Sequence, residues 1–179
     1  MNYDGYSENK PLTPREDTRI FVPFPKVAVG GVSYRPNKDW NMEFNVDWTD
    51  WDTLNTATFK KGSGDTPLRF NWHSSFLYEV GVSRYFGNGY FVSAGYFFSE
   101  NSIPNRDFIP IIPDTDLHTG TPGVGHKGNR WSWALSYELI TSPSRHLGNA
   151  QSSSLNGETA NGKYDFLYHI VNISVGYHF

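Results

Sequence analysis

The segment Lys163–Phe179 alternates in polarity almost without a break and stops on an aromatic residue. Leu167, Val171, Ile173, Val175, Tyr177 and Phe179 share one face of an extended chain; Tyr168, Asn172, Ser174, Gly176 and His178 share the other. A strand this long, apolar on one side only, suits a sheet whose outer surface meets lipid: a closing strand of a transmembrane β-barrel. It excludes a helix over this segment, because the apolar positions recur every two residues and not every three or four.

The rest of the chain repeats the pattern. Strand candidates lie at about 19–35 (Ala28, Gly30, Val32, Tyr34 on one side), 39–60, 70–86, 90–102, 130–144 and 163–179. In the second, Trp40, Met42, Phe44, Val46 and Trp48 oppose Asn41, Glu43, Asn45, Asp47 and Thr49. The third opposes Phe76, Tyr78, Val80 and Val82 to Ser75, Glu79, Gly81 and Ser83, and the fourth sets Tyr90, Val92, Ala94, Tyr96 and Phe98 against Ser93, Gly95 and Ser99. Near the end, Trp131, Trp133, Leu135, Tyr137 and Leu139 oppose Ser132, Ala134, Ser136 and Glu138. A weaker candidate spans about 114–127 and is interrupted by Pro122. Seven strands result. Their links alternate: short at 36–38, 87–89 and 127–129, long at about 52–69, 102–113 and 141–162. Short turns on one side and long loops on the other are characteristic of bacterial outer-membrane barrels, and place Phe179 and the short turns in the periplasm.

Composition agrees where it constrains. Aromatics make up 17% of the 179 residues, and Gly and Pro are plentiful at 17 and 11, which favours strands and turns. Mean hydropathy is −0.54, and no run of about 18 apolar residues exists, so a membrane helix is excluded. A barrel is not excluded, since half of its strand residues face a polar interior. The formal charge of −3 is spread without a basic patch, so nucleic acid is not a partner. There is no cysteine, hence no disulfide or thiolate metal site. Met1–Tyr6 has neither the basic nor the apolar region of a signal peptide, and the chain is therefore expected to be a piece of a longer protein.

Trp40 and Trp48 lie eight residues apart, about 26 Å along a strand at ~3.3 Å per residue. Tilted by roughly 40°, this spans about 20 Å of depth, close to the ~25 Å between aromatic girdles. Trp40, Tyr90, Trp131 and Phe179 are assigned to the periplasmic girdle, and Trp48 with Phe98 to the outer one. The competing architecture is a soluble β-sandwich that stacks exposed Trp faces on carbohydrate. Strands of this length argue against it, because sandwich strands commonly run about 5–6 residues.

Phe24–Pro36 (FPKVAVGGVSYRP) and Trp40–Trp51 (WNMEFNVDWTDW) resemble the FadL/TodX family. So do Ser99–Pro104, Ile112–Asp116 and the ending Ser174–Phe179 (SVGYHF), and the likeness runs from about residue 19 onward. The resemblance implies an antiparallel transmembrane β-barrel in the outer membrane of a Gram-negative-type bacterium. It also implies passive uptake of long-chain fatty acids or other hydrophobic compounds, with no cofactor and no enzymatic activity. Family members are fourteen-stranded barrels plugged by an N-terminal hatch. This chain corresponds to the C-terminal half, with residues 1–18 an outer loop and 19–179 about seven strands of wall. Membrane lipid, the missing N-terminal barrel half and the assembly machinery, reading the terminal Phe179, are the implied partners.

On the inner parity lie the acids Glu43, Asp47, Glu79 and Glu138 with Asn45, either lining a ligand route or only cross-linking the interior. Unexpected apolar residues share that face: Leu77, Phe91, Phe97, Phe166, Tyr168 and Ile170. They suit an acyl-chain pocket or a contact with the hatch. The cations Arg35, Arg69, Arg106 and Lys127 are expected in turns and loops. Asp114, Asp116 and His118 read as the turn before a strand and not as a metal site, and none of the six His shows metal-ligand spacing. A hydrolytic pair such as Ser132 with His126 carries no more weight than any other Ser–His pair in a Ser-rich barrel. The Ser/Asn/Gly-rich stretch 142–162 reads as a surface loop.

Overall fold

The computed structural model describes residues 2–9, 13–108, 110, 112, 114–150 and 159–179. Parts of the expected N-terminal segment (residues 1 and 10–12) and of the two later long loops (109, 111, 113 and 151–158) lie outside the described residues. In chain order the strands are β1 Asn2–Asn9, β2 Thr13–Phe21, β3 Val27–Asn37, β4 Trp40–Thr49, β5 Thr56–Lys61, β6 Thr66–Arg69 and β7 Ser75–Tyr85. They continue with β8 Tyr90–Ser99, β9 Leu117–Lys127, β10 Trp131–Thr141, β11 Arg145–Leu147, β12 Gly162–Tyr164 and β13 Leu167–Tyr177.

Seven of these, β3-β4-β7-β8-β9-β10-β13, form one antiparallel meander in which chain order is spatial order. This is the wall. Its short turns are tight: Phe86 N–H donates to Tyr90 O at 2.7 Å, and Gly128 N–H to Trp131 O at 3.0 Å. Gly89 adopts φ +88°, and a Cβ there would come within 2.8 Å of Lys127 O, so the turn needs glycine. With an odd number of alternating strands, the two edges β3 and β13 run in the same direction, from the long-loop end to the short-turn end. The sheet is open along both.

The register sets the two alternating series on opposite faces of the sheet. One row reads Val32–Phe44–Val80–Tyr96 and another Trp40–Arg84–Val92–Val124–Leu135–Ile173. On the opposite face run Gly31–Asn45–Glu79–Phe97–Thr119–Ile140–Tyr168 and Ser83–Ser93–Gly123–Ser136–Asn172. Along β10 the apolar Trp131, Trp133, Leu135, Tyr137 and Leu139 are exposed, while the Ser132, Ala134, Ser136 and Glu138 between them are half-buried. A water-soluble sheet does the reverse. Ile173 is 75% exposed, Phe44 46% and Trp133 39%, so the aromatic face is not the dry interior of a sandwich. The carbohydrate-binding sandwich is therefore set aside.

Four sequence expectations change. The first strand does not run unbroken from residue 19, because Pro23 and Pro25 cannot donate to a ladder and β2 ends at Phe21. The second, expected to reach residue 60, ends at Thr49; a 3-10 turn at Trp51–Thr53 intervenes, Thr53 Oγ donating to Asp50 Oδ2 at 3.1 Å. Arg35, Arg69 and Lys127 sit at strand ends, not in turns, and only Arg106 lies in a loop turn. The weak fifth candidate is a complete strand of 11 residues. Pro122 pairs with Ala94 on the β8 side, while the β9–β10 partners pass from Gly123↔Ser136 to Gly120↔Leu139 without pairing 121 and 122. The missing N–H is absorbed by one local gap, with the register kept on both sides.

The long-loop end carries further structure. β1, β2, β5 and β6 make a four-stranded sheet, and β11 pairs with β12. Among the described residues the apolar core is drawn from the segments beside these strands and from β11 and β12: Leu54, Trp72, Ile103, Phe108 and Leu147, flanked by Val22, Trp51, Phe70, Ala160 and Tyr164. Ile103 and Phe108 are the most buried large side chains, at 1% and 2%. Among the described residues the hydrophobic core thus belongs to the long-loop end of the wall, as a cap.

Candidate functional site: the inner face of the wall

Glycine shapes the inner face. On this parity lie Gly31, Gly81, Gly95, Gly123, Gly125 and Gly176, and neighbouring side chains fold over several of them. A Cβ on Gly125 would strike the Phe91 ring at 2.4 Å, and one on Gly123 would meet Ser93 Oγ at 2.6 Å. Gly81 and Gly95, paired across β7 and β8, floor a depression of about 190 Å³, Gly81 open and Gly95 with Thr121 Oγ1 3.2 Å from where a Cβ would stand. Around it stand Asn41, Glu43, Asn45, Glu79, Phe97 and Thr121.

A polar network fixes one side of this depression. Asn41, buried to 6% exposure, donates through Nδ2 to Glu43 Oε1 at 2.7 Å. Its Oδ1 accepts from Arg35 Nε at 3.0 Å and Ser33 Oγ at 2.9 Å. Every polar atom of the Asn41 amide group is engaged, which is what allows an amide to sit buried in the wall. Across the sheet, Asn172 Nδ2 donates to Glu138 Oε1 at 2.6 Å. Asp47, further along β4, has a buried Oδ1 without a hydrogen-bond partner.

The structure gathers some of the expected apolar residues and separates others. Phe97 lies beside the depression, opposite Glu79, and Leu77 is one inward-facing position further along β7. Phe91 is six residues from Phe97, about 20 Å along β8, where it packs on Tyr85 at 5.9 Å. Phe166 and Tyr168 stack at 6.2 Å, with Ile170 next on β13, three strands from β8 and thus about 14 Å away. The inner face holds three apolar patches rather than one pocket. Ser132 faces inward and His126 outward, so that pair is split by the sheet.

On the opposite face, residues expected at the girdles have aromatic or cationic neighbours. Trp131 meets Tyr177 at 4.8 Å, and Tyr177 meets Phe179 at 5.0 Å. Tyr90 touches Trp133 at 6.4 Å, and Arg84 lies 5.3 Å over the Trp40 ring. Trp48 pairs with Phe76 at the long-loop end.

The cap is the part that sequence reasoning missed. Asp114 Oδ2 accepts from Ser102 N at 2.6 Å and Ile103 N at 2.8 Å, and Asp116 Oδ1 accepts from Asn101 N at 2.8 Å. Both acids thus staple a loop. Arg145 donates to the carbonyls of Asp114 and Ile103 and, at 2.9 Å, to Asn105 Oδ1, with its guanidinium 5.0 Å from the Phe108 ring. Burial lowers its pKa, against the opposing pull of Asp114 and Asp116. Loops 50–74 and 100–116 are joined by His73 N–H to Ser102 O at 2.9 Å and Asn71 Nδ2 to Asp107 Oδ1 at 3.1 Å. The clue was present in the sequence: Trp51, Leu54, Trp72, Ile103, Phe108 and Leu147 are too many large apolar groups for loops left in water.

Residues 4–179 match the family model described as outer membrane protein transport protein (OMPP1/FadL/TodX). No curated protein matches the chain significantly. Among solved structures, the crystal structure of a Pseudomonas aeruginosa FadL homologue superposes with a TM-score of 0.69 at 16% identity. The match covers 90% of this chain and 36% of that one, so this chain spans about a third of the length of that solved relative.

Proposed function

The chain belongs to the OMPP1/FadL/TodX family of outer-membrane transport proteins of Gram-negative bacteria, and from that premise we propose that it forms part of the wall of a passive route for long-chain fatty acids or other hydrophobic compounds. The carrying observation is the inverted wall, apolar groups outward and Ser, Gly, Asn and acids inward. Such a sheet is stable only with hydrocarbon on one side and a shared polar lumen on the other. The cap stands at the outer mouth, where ligand is first captured, and Leu77, Phe91, Phe97, Phe166, Tyr168 and Ile170, in three patches, offer apolar contact to a chain passing along the lumen. A plug formed by a further segment shifts to release it.

The wall needs other strands, since an open edge in lipid leaves backbone groups unpaired at several kcal/mol each. Because β3 and β13 descend together, a second copy in the same membrane orientation would set descending strand beside descending strand. Antiparallel closure instead takes an odd number of further strands, beginning and ending with ascending ones. A missing N-terminal barrel half of seven strands satisfies that condition. Phe179 serves as the address read by the assembly machinery. Uptake of a hydrophobic probe by membranes containing the assembled protein tests the route. Replacement of Phe91, Phe97 and Phe166 by Ser should lower it severalfold, and uptake equal to the parent would defeat the lumen contact.

A further inference from the structure

The inner face carries Glu43, Asp47, Glu79 and Glu138. Against them the wall strands set only two inward Lys or Arg side chains, Arg35 and Lys127, both near the short-turn end. Arg35 donates through Nε to Asn41, which in turn donates to Glu43, so its charge lies at the Asn41 end of the network. Lys127 pairs with Ser132 at the rim, six residues and therefore about 20 Å along β9 from Thr121 at the depression.

At the glycine-floored depression a ligand can approach the backbone at Gly81, and its lining is mixed. Phe97 supplies an apolar edge beside its cross-strand partner Glu79, and Glu43 flanks the floor from β4, opposite Gly81; the two glutamates are diagonal neighbours across β4 and β7. Diagonal neighbours of this kind lie roughly 7–8 Å apart. Oxygen acceptors therefore surround the floor, with hydroxyls from Ser83, Ser93 and Thr121 beside them. A ligand hydroxyl can donate to such acceptors. A carboxylate has no proton to donate and meets like charge from both glutamates.

We propose that this part of the lumen selects uncharged amphiphiles, fatty alcohols and similar neutral hydrophobic compounds, over free carboxylates, with Glu43 and Glu79 as the specificity-determining residues. The inference rests on the transport route proposed above and narrows its ligand. The test uses tetradecanol and tetradecanoate carrying the same chain-end diazirine, photolysed at neutral pH in membranes containing the assembled protein. Labelled peptides are then mapped to β7 and β8. The alcohol should label these strands at least tenfold more than the acid, and Glu43→Gln with Glu79→Gln should cut that ratio severalfold. Equal or greater labelling by the acid, or a ratio unchanged in the double variant, would overturn the proposal. Labelling of β7 and β8 by neither probe would overturn the transport route as well, a result distinct from acid preference. Phe97→Ser, which leaves both glutamates in place, should lower labelling by both probes and keep their ratio; a ratio that collapsed in that variant would also count against the glutamates.

Discussion

Along β10 the large apolar side chains are the exposed ones, whereas in the cluster around Phe108, in the loops above, they are buried to 1–9% exposure. The two regions belong to one chain, but they answer to different solvents. The wall gains nothing by hiding Leu135 or Ile173, because hydrocarbon already surrounds them; what it must satisfy is every backbone hydrogen bond. The cap stands in water and is held as a soluble domain is, by closing apolar side chains away from it. Its polar groups are accordingly turned inward to the backbone, as with Asp114, Asp116 and Arg145. A stability argument drawn from buried area describes the cap and misdescribes the wall.

Substitutions can break this contrast. Phe108→Ala should cost the cap about 3–5 kcal/mol, as for a large aromatic removed from a packed core, and open the loops to protease while β8 and β10 stay protected. An effect below about 1 kcal/mol would deny that the cap is a core. On the wall, Leu135→Arg should cost about 2–4 kcal/mol in denaturant titrations of the lipid-inserted protein, and Ser136→Arg, one residue on, far less. Similar costs at both positions would remove the distinction between faces. Arg145→Met keeps the packing on Phe108 but leaves the Asp114 and Ile103 carbonyls without their donor, and should cost the cap about 1–3 kcal/mol in the same proteolysis assay.

The smallest effect concerns pH. The Ser144 hydroxyl, aided by Lys163, holds the Asp165 carboxyl below its ordinary value. A lowered folded pKa means that the contribution is present above the unfolded value and lost as pH falls through the folded one. Proteolysis near β11 and β12 should therefore quicken below about pH 4, and Asp165→Asn should flatten that rise.

Much of the wall was legible because a two-residue period is a strong signal and lipid makes it stronger: Trp40 to Trp48 and Leu167 to Phe179 show their faces without any partner in view. Pro122 misled, since nothing local tells that its missing N–H falls where β9 and β10 can spare a pair. The cap was not legible by periodicity, because its core draws single residues from three loops, such as Leu54, Ile103 and Leu147, with no repeat between them. The inner apolar residues were identified by parity, but parity cannot give distance along a strand, and Phe91 stands well apart from Phe97. The glycine floor was present as Gly81 and Gly95 on the polar parity; only the register sets them side by side.

The most direct measurement of the central claim uses the absence of cysteine. Single cysteines placed at Leu135 and Ser136, spin-labelled in the lipid-inserted protein, report which face meets hydrocarbon. Position 135 should be relaxed by dissolved oxygen and shielded from a water-soluble nickel complex, and position 136 should show the opposite. If both labels met the aqueous reagent, or if 136 were the lipid-exposed one, the inverted wall and all that rests on it would be wrong.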